Sequence, residues 1–318
     1  MESDDRLASD SRRRVRLHAK TTRIEIHSLE TVTLTNKQFL TGSKGGVSGR
    51  IGAELRLPAC TPPAPAVVLI HGSAGVGTNV DCWARRLNGM GVAAFVLDCF
   101  TGRGIVETIT DQSRLGHLTM IVDAYQAFNY LCNDPRIDSA RIVVMGFSKG
   151  GSAALYSSLR RFGRMYGTAR REFSGYIAFY PQCNTVYLDD EDASDRPIRL
   201  FHGTGDDYVS IEPARNYVAR LQRAGKDVEL KEYSGAHHAF DNPCYSPPRF
   251  LPDAVTARAC SFREAAGGEI QNVGTGKPFR WSDPSIKTGA TVGFDQTAAA
   301  DAAREVQDLL SQWFGLIS

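Results

Sequence analysis

A serine set among glycines is the first candidate for chemistry. Gly146-Phe147-Ser148-Lys149-Gly150-Gly151 follows the apolar run Ile142–Met145 and precedes a helical stretch from Ser152. A strand that turns at once into a helix forces its central residue into a strained conformation. Flanking glycines let neighbouring backbone come close without a Cβ clash. The Ser148 hydroxyl is then expected at a helix N-terminus, whose dipole favours developing negative charge. Such a serine attacks a carbonyl only with a base, and the base needs an orienting acid. Asp206 and Asp207 follow the run Ile198–Phe201, and His237 and His238 follow the strand-like Val228–Tyr233. Serine, acid and histidine in that order, each past a strand, fit nucleophilic acyl chemistry. Spacing alone leaves open which acid and which histidine take part.

Those residues need a scaffold that ends several strands at one edge. Short apolar runs without alternation occur at Ala66–Ile70, Val92–Leu97, Ile142–Met145, Tyr176–Tyr180 and Ile198–Phe201. Runs of this kind fit parallel strands buried on both faces. Between them, Leu118, Ile121, Val122, Tyr125 and Phe128 share one helical face. Pro213 and Gly225 bracket a helix over 211–224, and Ala299 to Trp313 carries a last amphipathic stripe. Alternation within Arg23–His27 and Thr31–Thr35 predicts antiparallel strands ahead of this core, with turns over Gly42–Gly52 and a connector over Pro58–Pro65. The expected architecture is a three-layer α/β/α sandwich with a mostly parallel sheet and antiparallel N-terminal edge strands.

The paired segments Phe201-His202-Gly203-Thr204-Gly205-Asp206-Asp207-Tyr208-Val209 and Gly235-Ala236-His237-His238-Ala239-Phe240 resemble those of the dienelactone hydrolase family of α/β-hydrolases, H-G-x-x-D-x-x-V and G-x-x-H-x-F. The resemblance covers residues 64–241 and the last helix. It implies the α/β-hydrolase fold, with Asp206 as the acid and His238 as the base, and makes Asp207 and His237 neighbours. The chain departs from the family proper, which uses a cysteine nucleophile, by having Ser148, and this points to the family's esterase-like members. One oxyanion donor is expected from the backbone N–H of Lys149, the residue after the nucleophile, with its side chain solvated. By similarity the second is the N–H of Ser73, in His71-Gly72-Ser73-Ala74-Gly75. The implied activity is hydrolysis of a carboxylic ester or lactone through an acyl-enzyme, with no cofactor or metal. Amide cleavage or acyl transfer on the same residues is the alternative enzymatic reading. A non-catalytic binding protein on the same scaffold is the reading from another class.

Gly72, Gly75 and Gly77 after a strand, with Asp98 ending the next, also resemble a dinucleotide-binding turn. Their spacing reverses G-x-G-x-x-G, however, and no G-K-[ST] follows. Arg103, past the same sheet edge, is a candidate for a substrate carboxylate, against the simpler reading of a surface arginine.

Composition narrows the partners. At 318 residues, 42% hydrophobic and 23% charged, the chain is ordinary for a globular protein, and its net charge of +2 gives no global field for nucleic acid. The basic stretch at 11–23 (SRRRVRLHAKTTR) is read as part of a flexible N-terminal arm over residues 1–22. Residues 23–318 are read as one domain. No apolar stretch follows the arginines as an export signal requires, and no run approaches the roughly 20 residues that span a bilayer. A small-molecule ester or lactone is the expected partner, with no nucleic acid or membrane, and the expected location is cytoplasmic. Seven cysteines without C-x-x-C spacing argue against a metal site. Residues 242–296, rich in Pro, Gly and Ser, form an insertion beside the base, read as a loop-like lid or pocket wall against a passive excursion. Cys244 and Cys260 lie within it, either unpaired or as a disulfide worth about 3 kcal/mol, which would argue for an oxidising compartment.

Overall fold

The computed structural model describes residues 21–43, 45–59, 61–167 and 171–316. In chain order the elements are β1 (Thr21–Thr33), α1 (Asn36–Leu40), β2 (Val47–Pro58), β3 (Ala64–Ile70), α2 (Thr78–Gly89), β4 (Ala93–Asp98), α3 (His117–Cys132), β5 (Ile137–Phe147), α4 (Lys149–Tyr156) and α5 (Arg160–Tyr166). There follow β6 (Gly175–Phe179), β7 (Thr185–Val186), β8 (Ile198–Gly203), α6 (Glu212–Arg223), β9 (Val228–Tyr233), β10 (Arg249–Thr256), β11 (Phe262–Ala265), β12 (Glu269–Asn272), β13 (Lys287–Val292) and α7 (Gln296–Phe314).

Eight strands make the central sheet, in the order β1-β2-β4-β3-β5-β6-β8-β9. From β4 onward every pair is parallel, while β1 and β2 run antiparallel at one edge. Strands β3 and β6 and the last six residues of β5 are buried throughout because both faces of the sheet are covered. On β3, Ala66, Val68 and Ile70 join a cluster with Leu118, Ile121 and Phe128 of α3 and Tyr217 and Leu221 of α6. Val67 and Leu69 point the other way, to Val80 and Trp83 of α2 and Ala302, Val306 and Leu310 of α7. This is the expected three-layer sandwich. Helix signals in the sequence act where they stand: Pro213 opens α6, Gly225 follows it with φ of 75°, and Gly315 closes α7 in the left-handed region.

Three expectations need correction. A short helix, α1, sits between the edge strands, fixed by a capping box in which Thr35 and Gln38 bind each other's backbone N–H. Strand β1 starts at Thr21, so the last two residues of the expected arm belong to the sheet, and residues 1–20 lie outside the described residues. Most of all, the 242–296 segment is not a structureless loop. It holds β10 and β13 as an antiparallel pair, and β11 and β12 in a small sheet joined in parallel to β7. Its strands are short, β10 is mostly exposed, and its pairing with β13 shifts register between Leu251 and Val255. Clean alternation is therefore missing from the sequence. No described helix is long and apolar enough to cross a membrane.

The insertion is fastened to the body by buried polar contacts. Glu264 takes both terminal nitrogens of Arg161 at 2.7 Å and the Leu188 N–H at 2.9 Å, with its side chain 1% exposed. Asn184 donates to the carbonyls of Ala257 and Cys260. Removing one partner of a buried pair strands the other charge, at a cost of about 3–5 kcal/mol. Glu264→Ala is therefore expected to lower the unfolding free energy by about 3 kcal/mol in urea titrations. A loss of under about 1 kcal/mol, the scale of a surface pair, would show that this contact does not fasten the insertion.

Candidate active site

Strand register sets the stage. Gly146 of β5 lies opposite Ile70 of β3 and Ala178 of β6, and Gly203 of β8 lies opposite Tyr233 of β9. The carboxyl ends of these strands thus share one edge, where open parallel sheets present their crevices.

At that edge β5 ends and α4 begins with a single residue between them. Ser148 has φ 53° and ψ −115°, a conformation an L-residue holds only where its surroundings enforce it. A Cβ on Gly146 would stand 2.0 Å from the Gly150 carbonyl oxygen, and one on Gly150 would stand 2.3 Å from the oxygen of Ile70. Both positions therefore require glycine. The turn holds Ser148 Oγ 2.9 Å from His238 Nε2, and His238 Nδ1 lies 2.7 Å from Asp206 Oδ2. Burial alone would raise the Asp206 carboxyl. Attraction to His238 in its protonated form and hydrogen bonds from His202 and His238 hold it well below the usual carboxylate range instead. An ionised carboxylate only accepts, so Nδ1 carries the proton and Nε2 presents its lone pair to the serine. The other Asp206 oxygen takes the N–H groups of Tyr208 and Val209 at 2.9 and 2.8 Å. The imidazole is flanked by Tyr180 and Tyr208, with ring centroids 4.6 and 4.9 Å away.

The two other residues named beside these do different work. Asp207 accepts from the Thr291 N–H at 2.7 Å and its hydroxyl at 3.1 Å, tying β13 to the acid loop. His237 Nδ1 contacts the Gly205 carbonyl. The acid and base loops are also joined directly: Gly205 N–H donates to Ala236 O, and Gly235 N–H donates to Thr204 Oγ1. The insertion reaches His238 itself, since Val292 bridges it and Gly293 N–H donates to the His238 carbonyl at 3.0 Å.

Ser73 and Lys149 both line a cavity with Ser148. At the first position of α4 the Lys149 N–H has no carbonyl one turn back to bind. The loop carrying Ser73 packs on the serine, since a Cβ on Gly72 would come 3.3 Å from Ser148 Cβ. The Lys149 side chain is not solvated as expected. It turns inward and donates to Leu115 O at 2.6 Å and Thr108 Oγ1 at 2.9 Å, and burial pulls its pKa down to about 7. A lysine in a glycine-rich turn lacks the periodicity that would mark it as buried.

Arg103 neither faces a substrate nor lies on the surface. Its guanidinium forms a two-pronged pair with Asp123 at 2.7 and 2.8 Å, and it donates to Cys99 O and Thr33 Oγ1. Its side chain is 8% exposed, and that of Asp123 fully buried. Cys244 and Cys260 are both free thiols, at 3.0 Å from Thr78 Oγ1 and 3.1 Å from Ser285 Oγ, so the disulfide does not form. Tyr180 and Asp241 belong to the site without any motif to mark them. Tyr180, directly after β6 with φ of 38°, donates to Asp241 at 2.5 Å, and Trp83 Nε1 donates to the other oxygen at 2.9 Å. Their only signal in the sequence is position, just past β6 and three residues beyond His238. Among the described residues no group of His, Cys, Asp and Glu is arranged to hold a metal ion.

Residues 51–266 match the model of the dienelactone hydrolase family, and the chain belongs to that family. It is a carboxylic ester hydrolase of the α/β-hydrolase fold. A Bradyrhizobium protein named "Probable 2-oxo-3-(5-oxofuran-2-ylidene)propanoate lactonase" is 25% identical over 204 residues, covering 59% of this chain and 78% of that protein. Among solved structures, a dienelactone hydrolase-like promiscuous phosphotriesterase from metagenomic libraries superposes with a TM-score of 0.57 at 17% identity, over 91% of this chain and 98% of that one. Esterase 2 of Thermogutta terrifontis, phosphoramylated by tabun, gives 0.54 at 16% identity, over 96% and 99%.

The burial of Arg103 has a measurable consequence. Arg103→Ala is expected to cost about 3–5 kcal/mol of stability by leaving Asp123 unpaired. The ratio of kcat/KM between a carboxylate-bearing ester and its neutral methyl ester should stay as it is. Should the variant fail to fold, Arg103→Met with Asp123→Leu replaces both charges and permits the same comparison. A selective loss on the carboxylate-bearing ester in either variant would restore Arg103 to the substrate.

Proposed function

We propose that this member of the dienelactone hydrolase family is a serine esterase working through an acyl-enzyme, on open-chain esters or lactones. The observation that carries the reading is the contact chain from Ser148 Oγ through His238 to Asp206, 2.9 and 2.7 Å long, built on a strained turn. His238 Nε2 takes the serine proton as Oγ attacks the carbonyl carbon. The negative charge that gathers on the carbonyl oxygen meets the amides of Ser73 and Lys149, reinforced by the N-terminal dipole of α4. His238 then hands its proton to the departing alkoxide. Water repeats the sequence on the acyl-enzyme and frees the acid. Asp206 stays ionised throughout and holds the imidazole in one tautomer. The names of the lactonase and esterase relatives support an oxygen leaving group.

A fluorophosphonate probe should label Ser148, located by peptide mass spectrometry, and Ser148→Ala should lose about 10⁴-fold or more in kcat. Wild-type turnover by that variant on any ester would overturn the assignment.

The two neighbouring acids should separate sharply. Asp206→Asn leaves the imidazole in the wrong tautomer, an effect of about 10⁴ on kcat in serine protease triads. An amide at Asp207 can still accept the Thr291 N–H, so Asp207→Asn is expected to cost under about tenfold. Equal kcat values for the two variants would refute this division of roles between Asp206 and Asp207.

A further inference from the structure

Ser148 stands where two cavities meet, and the two have different chemistry. The larger is lined by Lys149, His117, Gln182, Asn184 and Arg258, and by Phe279 and Trp281 of the insertion. The smaller is lined by His238, with Tyr180, Tyr245, Ile109, Leu251 and Val292 making an apolar wall. Among the described lining residues of the larger cavity none is Asp or Glu. Its two basic side chains direct their hydrogen bonds to neutral oxygens: Lys149 to Leu115 O and Thr108 Oγ1, Arg258 to the carbonyls of Asp207 and Gly289.

We infer that the two cavities divide the substrate, with an apolar alcohol half in the smaller and a polar, oxygen-bearing acyl half in the larger. The inference rests on the serine esterase reading and follows from where the proton must go. The alkoxide that leaves receives its proton from His238 Nε2, so its oxygen lies within hydrogen-bond reach of that nitrogen. His238 lines only the smaller cavity. The acyl carbon bound to Ser148 Oγ, with its oxygen toward the amides of Ser73 and Lys149, then extends into the larger one. Transfer balances at each stage: the C–O bond to the alcohol breaks as the proton on Nε2 passes to it. Water later supplies the hydroxyl of the freed acid and returns a proton to Ser148. An apolar wall of tyrosine- and leucine-sized side chains suits an aromatic or branched alcohol, while the acid-free lining of the larger cavity, with the Arg258 guanidinium in it, suits acceptor oxygens and opposes an ammonium group.

Two isomeric esters test this with the purified full-length enzyme. Benzyl 3-methoxypropanoate places the apolar ring on the alcohol and the ether oxygen on the acid; 2-methoxyethyl phenylacetate reverses them. After division by each ester's hydroxide-catalysed rate, kcat/KM should favour the first by about tenfold or more, the scale a shaped pocket delivers. Equality, or preference for the second, overturns the inference. Two variants locate the halves. Leu251→Trp, narrowing the smaller cavity, should lower the benzyl-to-methyl ratio of kcat/KM for one acid by about tenfold. Ile270→Trp, at a β12 residue that also lines the larger cavity, should lower the 3-methoxypropanoyl-to-acetyl ratio for one alcohol instead. An exchange of these two effects also overturns it. Ser148→Ala, run beside them, separates the failures: turnover without Ser148 defeats the serine esterase reading, whereas Ser148-dependent turnover with reversed preferences defeats only the division.

Discussion

Everything at the site depends on the backbone reversal at Ser148, where a strand becomes a helix with no room for a side chain on either glycine flank. A Cβ on Gly151 would stand 2.5 Å from the Phe179 oxygen, in addition to the clashes at Gly146 and Gly150. A residue held off the common backbone regions costs about 1–3 kcal/mol and persists only when its neighbours over-determine it. Here they do. β5 lies between β3 and β6 in the middle of the sheet, its last six residues are buried, and Ser148 N–H donates to Phe179 O at 2.9 Å. The apolar core on both faces of the sheet thus stabilises a local strain that keeps one hydroxyl in place.

The acid and base are placed by close backbone approach rather than by long side-chain reach. Gly203 and Gly205 press against Gly235 and Ala236 so tightly that a Cβ on either would fall within 2.6 Å of a carbonyl oxygen. The H-G-x-G-D spelling of this segment therefore records a packing requirement as well as the role proposed for Asp206. Outside this pair of loops stands the insertion, whose strand β13 touches both: Thr291 binds Asp207 and Val292 bridges His238. With Glu264 and Asn184 anchoring its other end, the segment is a fixed wall of both cavities.

Much of this was legible from residue order. The inner strands announced themselves as continuous apolar runs because both their faces are covered, and α6 and α7 by their amphipathic stripes and terminal Pro and Gly. Ser148 stood out because it follows a strand at a glycine-flanked turn, whereas strand ends alone left Asp206 and Asp207, and His237 and His238, undivided, and only the family resemblance chose between them. What escaped has a common cause: it depends on partners distant in sequence. Arg103 looks like a free charge until Asp123 is folded against it, Lys149 looks solvated until Leu115 and Thr108 close over it, and β10–β13 pair with one another and with β7 without a clean period of two. The helix α1 is the exception, since the Thr35–Gln38 box that caps it is local and stood in the sequence unread.

The double duty of β13 bears on how this protein can diverge. One face of that strand shapes the smaller cavity while its backbone steadies the histidine and the acid loop. With the role proposed for His238, mutations there tie a new preference to slower turnover. The opposite side of the insertion carries no such tie: Phe262, Phe279 and Trp281 line the larger cavity and pack among themselves, away from the histidine. Drift toward new substrates is least disruptive along those three aromatic positions. Related chains that share this site but differ in acyl preference should therefore vary there first, and hold β13 nearly constant.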